Sequence, residues 1–205
     1  PSVNAEAFTA PDAYRILYFH VPFAWSSFLS FAMLFIGAVM WYIKRSEVGW
    51  IWSQTASDLG LIFGLGVVTS GPIWGSAEWG TPWDWSDVRL NTFGLLTLLA
   101  IYLVLGRNSQ PDGVETRDTF AAFGLYGFIL VPFTYVATRI WSIRHPGPVI
   151  GTDDGGSLNA DMGLILLFGT LSFTLLIFGH MLTSMRITSF EQRIEALQIQ
   201  LDGGK

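Results

Sequence analysis

The residues best suited to chemistry in this sequence are two histidines and a group of tryptophans. His20 precedes the first long apolar segment, and His145 follows the fourth. Four tryptophans occur within twelve residues between them, namely Trp74, Trp79, Trp83 and Trp85. Indole rings offer a flat apolar surface with one polar N–H group. Two neutral imidazoles can bind a haem iron from opposite faces. These residue types predict a site for a large planar ligand, for which haem and a quinone are the candidates.

The tryptophans and histidines also have ordinary structural explanations. Tryptophan anchors helix ends at the membrane interface, and a lone interfacial histidine is usually solvated or hydrogen-bonded. An anchoring belt accounts for one or two tryptophans per helix end, but not for two Trp-Gly pairs five residues apart. A zinc site is the weaker hypothesis because zinc usually takes three or four protein ligands. The third histidine, His180, is expected at the opposite end of the last apolar segment, hydrogen-bonded to a neighbouring helix or water.

The overall composition indicates a membrane protein. Hydrophobic residues make up 51% of the 205-residue chain and charged residues only 13%, with a mean hydropathy of +0.44. So few charges cannot cover the surface of a soluble domain of this size. The net charge of −5 and the lack of a basic run argue against nucleic acid as a partner. There is no cysteine, so disulfides, thiolate metal sites and covalent haem attachment through CxxCH are excluded.

Five apolar segments approach or exceed the roughly 20 residues that a transmembrane helix requires. They span residues 21–43, 57–74, 88–105, 119–141 and 161–185. Pro22 suits the first turn of a helix, which places His20 at or just before the helix start. Pro132 predicts a kink in the fourth segment. We therefore expect an all-α polytopic transmembrane bundle with its two termini on opposite sides of the membrane.

The basic residues predict the orientation of this bundle. Seven lie on the side that holds Lys44, the loop 106–118 and the C-terminal tail, and four lie on the other side. The positive-inside rule makes the richer side cytoplasmic. His20, His145 and the tryptophans are then expected together on the extracytoplasmic face. Three arginines lie near them in sequence, namely Arg15, Arg89 and Arg144. Each could extend to the interface or pair with a haem propionate.

The C-terminal segment predicts a second unit. We expect residues 1–185 to form a transmembrane haem-handling domain and residues 186–205 to form a cytoplasmic amphipathic tail helix. Its apolar residues follow a spacing of three and four, at Ile187, Phe190, Ile194, Leu197 and Leu201. A seam of about two heptads is short for a coiled coil on its own. The tail is therefore expected to dock on a partner or on the inner face of this chain.

Three segments of the sequence resemble the CcmC family, which belongs to the haem-handling WWD proteins of cytochrome c biogenesis. They are residues 14–22 around His20, residues 74–90, and residues 141–147 around His145. The resemblance extends from about Tyr14 to Met185. It implies that the two histidines are outer haem ligands. It also implies that the WWD signature, which cradles the ring, consists of Trp79, Trp83, Trp85 and Asp87.

The resemblance further implies a function without enzymatic chemistry. CcmC-type proteins hold haem b transiently and non-covalently on the outer face of the inner membrane and hand it to the chaperone CcmE. They work with the transporter subunits CcmA and CcmB and with the small CcmD. Two alternatives remain open. One is a WWD-type cytochrome c haem lyase, although such enzymes are generally longer. The other is a structural membrane subunit whose tryptophans serve only as anchors.

The sequence departs from the family pattern in three places. The family usually has Asp directly after the last Trp, whereas here Ser86 intervenes, so Asp87 lies one position late or Asp84 shares its role. Pro82 stands where a tryptophan is common. The family usually has six spans, and a first span before Pro1 would reconcile that number with the five found here.

Overall fold

The computed structural model describes residues 9–10, 12–140 and 160–203. In these ranges it contains helices and no strand, which confirms the predicted all-α class. After a 3₁₀ turn at Ala13–Ile16, the helices are α1 (Leu17–Lys44), α2 (Glu47–Trp79), α3 (Val88–Asn108), α4 (Val114–Gly127), α5 (Leu130–Ile140) and α6 (Ala160–Gly203). Five helical stretches are long and apolar enough to cross a membrane: Ala13–Lys44, Glu47–Trp79, Val88–Asn108, Val114–Ala137 and Asp161–Asp202. The chain is a multi-pass membrane protein.

The first helix begins earlier than predicted. Helical structure starts at Ala13 and α1 at Leu17, so His20 lies within the helix rather than at or before its start. Pro22 is inside α1 rather than in its first position. The first N–H groups of a helix have no partner within the helix. Pro22 is the sixth residue of α1 and lies beyond these groups. It therefore removes one helical hydrogen bond, the one to the carbonyl of Tyr18, and the helix nevertheless begins upstream of it.

The second helix includes residues that the sequence assigned to a loop. It starts at Glu47, ten residues before the predicted Ser57, and ends at Trp79. Trp74 and Trp79 are therefore on a helix. Gly80 ends α2 with a φ of 72°, a left-handed conformation that glycine adopts without strain. The polar first turns of α2 lower its mean hydropathy, which is why the apolar run alone placed its start too late.

The fourth span is broken into two helices. The break lies at residues 128–129, and Pro132 is in the first turn of α5. A proline ring clashes with the carbonyl group four residues earlier, which here belongs to Phe128. That carbonyl accepts a hydrogen bond from Val131 N at 3.0 Å instead. The predicted kink is thus a complete interruption, and it precedes the proline.

The last helix continues well beyond its predicted end at Met185. α6 is a single helix of 44 residues, and its length of about 66 Å is twice the thickness of the hydrocarbon core. The predicted tail is therefore a continuation of the last span. Its five seam residues, Ile187, Phe190, Ile194, Leu197 and Leu201, are all more than half exposed. The seam does not pack against the described part of this chain.

Small residues allow α1 and α2 to approach closely. Ser26, Ser27 and Ser30 on α1 are fully buried. A Cβ atom built on Gly37 would lie 2.6 Å from Gly49 O and 2.8 Å from Ser53 N, both of them backbone atoms of α2. Lipid chains are as apolar as the helices, so van der Waals contact between closely spaced backbones is a main source of association. This contact fixes α2 against α1.

Ion pairs join α1, α2 and α4 at one end of the bundle, which we call the far end because the four tryptophans between Trp74 and Trp85 lie at the other. Asp118 of α4 pairs with Arg45 after α1. Arg117 of α4 donates to Glu47 of α2 at 2.7 Å and also to Asp112. The hydrogen bond from Arg117 lowers the pKa of Asp112. These contacts hold basic side chains at the far end.

Replacing Gly37 with alanine tests the contact between α1 and α2. The added methyl group meets backbone atoms that cannot rotate away, so we expect the free energy of unfolding in detergent to fall by about 1–3 kcal/mol. Gly179→Ala is the matched control, because a Cβ atom there meets nothing within 4 Å. Equal thermal stability of the two variants would contradict this account of the packing.

Candidate functional site

A cavity lies at the end of the bundle opposite the far end. Residues of α1, α2, α3, α5 and the loop between α2 and α3 line it, and its surface is mainly apolar. The predicted site residues His20, Trp74, Trp79, Trp83 and Arg89 are all in this lining. The structure therefore brings together side chains that are up to 69 positions apart in the sequence.

The His20 ring is held against α2. Its Nδ1 atom lies 2.8 Å from Ser70 Oγ. Its ring meets that of Trp74 edge to face, with the centroids 6.4 Å apart and an angle of 61° between the planes. A hydrogen bond on one side and an aromatic contact on another fix the orientation of the imidazole at the cavity wall.

The four tryptophans form two pairs with different environments. Trp74 is 2% exposed, and its ring centroid is 5.4 Å from that of Trp79. Trp83 is 5.8 Å from Trp85, and its Nε1 donates to Asn91 Oδ1 at 3.3 Å. Trp85 is 81% exposed and is not part of the cavity lining. Three of the four rings thus contribute to the cavity wall, and the fourth faces outward.

The two aspartates of the loop have separate structural roles. Asp84 Oδ1 accepts hydrogen bonds from the Ser86 backbone N at 2.9 Å and from its hydroxyl at 2.6 Å, which shapes the loop. Asp87 is the N-cap of α3 and accepts from the backbone N of Arg89 and Leu90. Asp84 therefore holds the turn of the loop, and Asp87 caps the start of α3.

Arg89 is the charged group of the cavity. It is 8% exposed, and its Nη2 donates to Asp87 Oδ2 at 2.8 Å. Its Nη1 is buried and has no hydrogen-bond partner in the described part of the chain. A buried guanidinium donor without a partner is energetically costly. The cavity is therefore suited to a ligand that brings an anionic oxygen to Nη1 while its main body contacts apolar walls.

The remaining predicted site residues have other positions. Arg15 is exposed on the 3₁₀ turn and does not line the cavity. Arg144 and His145 lie outside the described residues. His180 is exposed on α6. Within the described ranges, no group of three or more His, Cys, Asp or Glu side chains is arranged to hold a metal ion.

Sequence reasoning missed several residues of the cavity. Ser70 and Gly71 of α2 contact His20, but small residues on a transmembrane helix are ordinarily packing positions and do not by themselves indicate a site. Thr134 and Tyr135 of α5 line the cavity, and no local pattern marks them. Their contribution depends on the break between α4 and α5, which places a short helix against α3.

The fold and the cavity define a polytopic helical membrane protein with a site built from histidine, tryptophan and arginine at one end of the bundle. The family model described as "CcmC: Heme exporter protein C" matches residues 2–200, and the chain belongs to this family.

Individual relatives agree with this assignment. The chain is 27% identical to heme exporter protein C of Bradyrhizobium diazoefficiens over 196 residues, which cover 93% of this chain and 74% of the relative. It is 31% identical to a cytochrome c biosynthesis ccmC-like mitochondrial protein of Marchantia polymorpha over 185 residues, 89% of this chain and 78% of the relative. Heme exporter protein C of Paracoccus denitrificans is 27% identical over 201 residues, 93% of this chain and 81% of the relative.

Substitutions of Asp87 separate its two structural roles. Asp87→Asn keeps an oxygen that can cap α3 but removes the negative charge beside Arg89. Asp87→Ala also removes the cap, worth about 1 kcal/mol. Because loss of one partner from a buried ion pair costs about 3–5 kcal/mol, we expect thermal stability to fall in the order wild type, Asn, Ala. Asp84→Ala, which loses bonds within the loop, should be milder. A larger loss in Asp84→Ala than in Asp87→Ala would contradict these roles.

Proposed function

We propose that this protein binds haem non-covalently in the cavity between α1, α2, α3 and α5. The observation that carries the proposal is the buried Arg89 Nη1 atom without a partner, at an apolar cavity that also presents His20. Haem combines a flat apolar ring, an iron that binds imidazole, and two propionates. A quinone would use the aromatic walls but would bring no carboxylate to Arg89, so the residues fit haem better.

Each group of the site has a distinct task in this proposal. His20 and His145 would hold the haem iron, since neutral imidazole is a good iron ligand. Trp74, Trp79 and Trp83 bury and orient the ring. Arg89 binds a propionate through a charge-assisted hydrogen bond, and Asp87 holds the guanidinium in place. Arg144 and the exposed Arg15 are further propionate partners, and the exposed Trp85 contacts the rim of the ring or an incoming protein.

The function we propose is haem delivery rather than catalysis. Relatives bear the names heme exporter protein C and cytochrome c biosynthesis ccmC-like protein. We propose that this chain holds haem b transiently and passes it to a CcmE-type chaperone during cytochrome c maturation, together with CcmA-, CcmB- and CcmD-type subunits. Transfer requires release as well as capture, and two axial ligands allow this. An acceptor could then replace one histidine while the other would still hold the haem.

We propose that the protein lies in the inner membrane with this cavity facing the periplasm. The excess of basic residues at the far end supports a cytoplasmic position for that end. The C-terminal part of α6 then extends into the cytoplasm. Its exposed apolar seam, which does not pack on the described part of this chain, supports docking on a partner subunit.

Absorption spectra of the purified protein test the haem proposal. Wild type should show a Soret band with the features of two axial histidines. His20→Ala and His145→Ala should each weaken haem affinity by more than the roughly 10–100-fold losses typical of residues that only support a ligand. His180→Ala is the control and should keep the spectrum of the wild type, because His180 is exposed on α6.

Three outcomes would contradict parts of the proposal. Full haem retention in the double variant of His20 and His145 would exclude ligation by two histidines. Absence of haem from the wild type, even after reconstitution with added haemin, would favour the structural alternative in which the tryptophans are anchors. Covalent attachment of haem to an apocytochrome by this chain alone would favour the lyase alternative.

Reporter fusions test the orientation. A fluorescent reporter placed after Lys205 should be active because it remains in the cytoplasm. A periplasmic phosphatase placed after Ser86, beyond the second span, should be active because it is exported. The same phosphatase fused after Gln110, past α3, should be inactive. The reverse pattern would place the cavity on the cytoplasmic face.

A further inference from the structure

We infer that Ser70 is a positioning residue that fixes the tautomer of His20, so that Nε2 is the nitrogen available to iron. This inference rests on the proposed haem site and names a residue that supports the ligand rather than binding iron itself. Three atoms form a hydrogen-bonded chain between the two helices: Gly66 O, Ser70 Oγ and His20 Nδ1. Ser70 Oγ is 2.6 Å from Gly66 O and 2.8 Å from His20 Nδ1.

The number of hydrogens decides the direction of these bonds. A serine hydroxyl has one hydrogen and can donate only one strong bond. Two oxygens 2.6 Å apart must have a hydrogen between them, and the carbonyl of Gly66 carries none. The Ser70 hydroxyl therefore donates to Gly66 O and can only accept from His20. In the neutral imidazole, the hydrogen must then be on Nδ1, and Nε2 keeps its lone pair.

The surroundings of the ring oppose the alternative arrangement. Ser70 is buried, so water does not readily replace a lost hydrogen bond there. Gly71 lies against the ring, and a Cβ atom built on it would be 3.3 Å from His20 Cε1. A ring flip would place a carbon opposite the Ser70 hydroxyl and lose its bond to the imidazole. The ring is therefore held with Nδ1 toward α2, as part of the cavity wall.

This arrangement resembles the way proteins generally support histidine ligands. The second ring nitrogen donates to an oxygen, which fixes the tautomer and increases the basicity of the nitrogen that binds the metal. Loss of such a partner typically weakens metal binding by about 10–100-fold. Here the acceptor is a hydroxyl whose own hydrogen is bound to a backbone carbonyl. Its ability to accept is thereby enhanced, because hydrogen bonds in a chain polarise one another.

Nitrogen-15 NMR of the haem-free, histidine-labelled protein tests the tautomer directly. The His20 signal is assigned by its disappearance in His20→Ala. In wild type its hydrogen should be on Nδ1, whereas Ser70→Ala should shift population to the form with the hydrogen on Nε2. Ser70→Thr keeps a hydroxyl and should keep the wild-type tautomer. Thr69→Ala is the matched control, because Thr69 also donates to a carbonyl of its own helix but is exposed.

Haem titration and redox measurement provide the second readout. Ser70→Ala should weaken haem binding about 10–100-fold and raise the midpoint potential of the iron, because a less basic imidazole stabilises the oxidised iron less. Ser70→Thr should restore both values, and Thr69→Ala should change neither. An unchanged tautomer and unchanged potential in Ser70→Ala would overturn the inference while leaving the haem proposal intact. A wild type that binds no haem would defeat the proposed function, and the NMR result would still decide the role of Ser70.

Discussion

The close approach of α1 and α2 is the contact on which the rest of the structure depends. At the far end, Gly37 and Gly49 bring the two backbones together, and a side chain at either position would meet backbone atoms of the other helix. Toward the cavity, Gly66 receives the ring of Phe23 and Gly71 lies against His20. Because helices in lipid associate mainly through packing and polar contacts, this series of small residues both joins the helices and sets the position of the histidine.

The cavity depends on a second constraint, the cost of burying a charge. Asp87 begins α3 by capping its first N–H groups and also binds one nitrogen of Arg89. One carboxylate thereby fixes the start of the helix and the position of the guanidinium. The other terminal nitrogen of Arg89 is left buried without a protein partner in the described residues. An anionic ligand group that accepts a hydrogen bond from this nitrogen would remove that cost, and the free energy so gained would favour binding.

The membrane class, the five spans and five residues of the cavity lining could be predicted from the sequence, whereas helix boundaries and the other lining residues could not. Apolar runs fix where a chain can cross the bilayer, but the polar first turns of α2 and the long continuation of α6 lie outside such runs. Pro132 predicted a kink in the fourth span. The helix is instead interrupted at residues 128–129, because the proline ring clashes with the carbonyl of Phe128. No pattern in the sequence marks Ser70, since its role depends on its contact with His20, which lies on the neighbouring helix α1.

The sequence by itself determined that this is a helical membrane protein, and it predicted that His20, Arg89 and the four tryptophans between Trp74 and Trp85 lie at the same end of the bundle. Hydrophobic length and residue type are local properties, and the bilayer converts them directly into spans and interfaces. Only the tertiary structure decided which tryptophans form the cavity wall. It also decided that Asp87 binds the guanidinium of Arg89 and that Ser70 of α2 is hydrogen-bonded to His20. These outcomes depend on how helices turn and pack, and that information resides in contacts between distant residues.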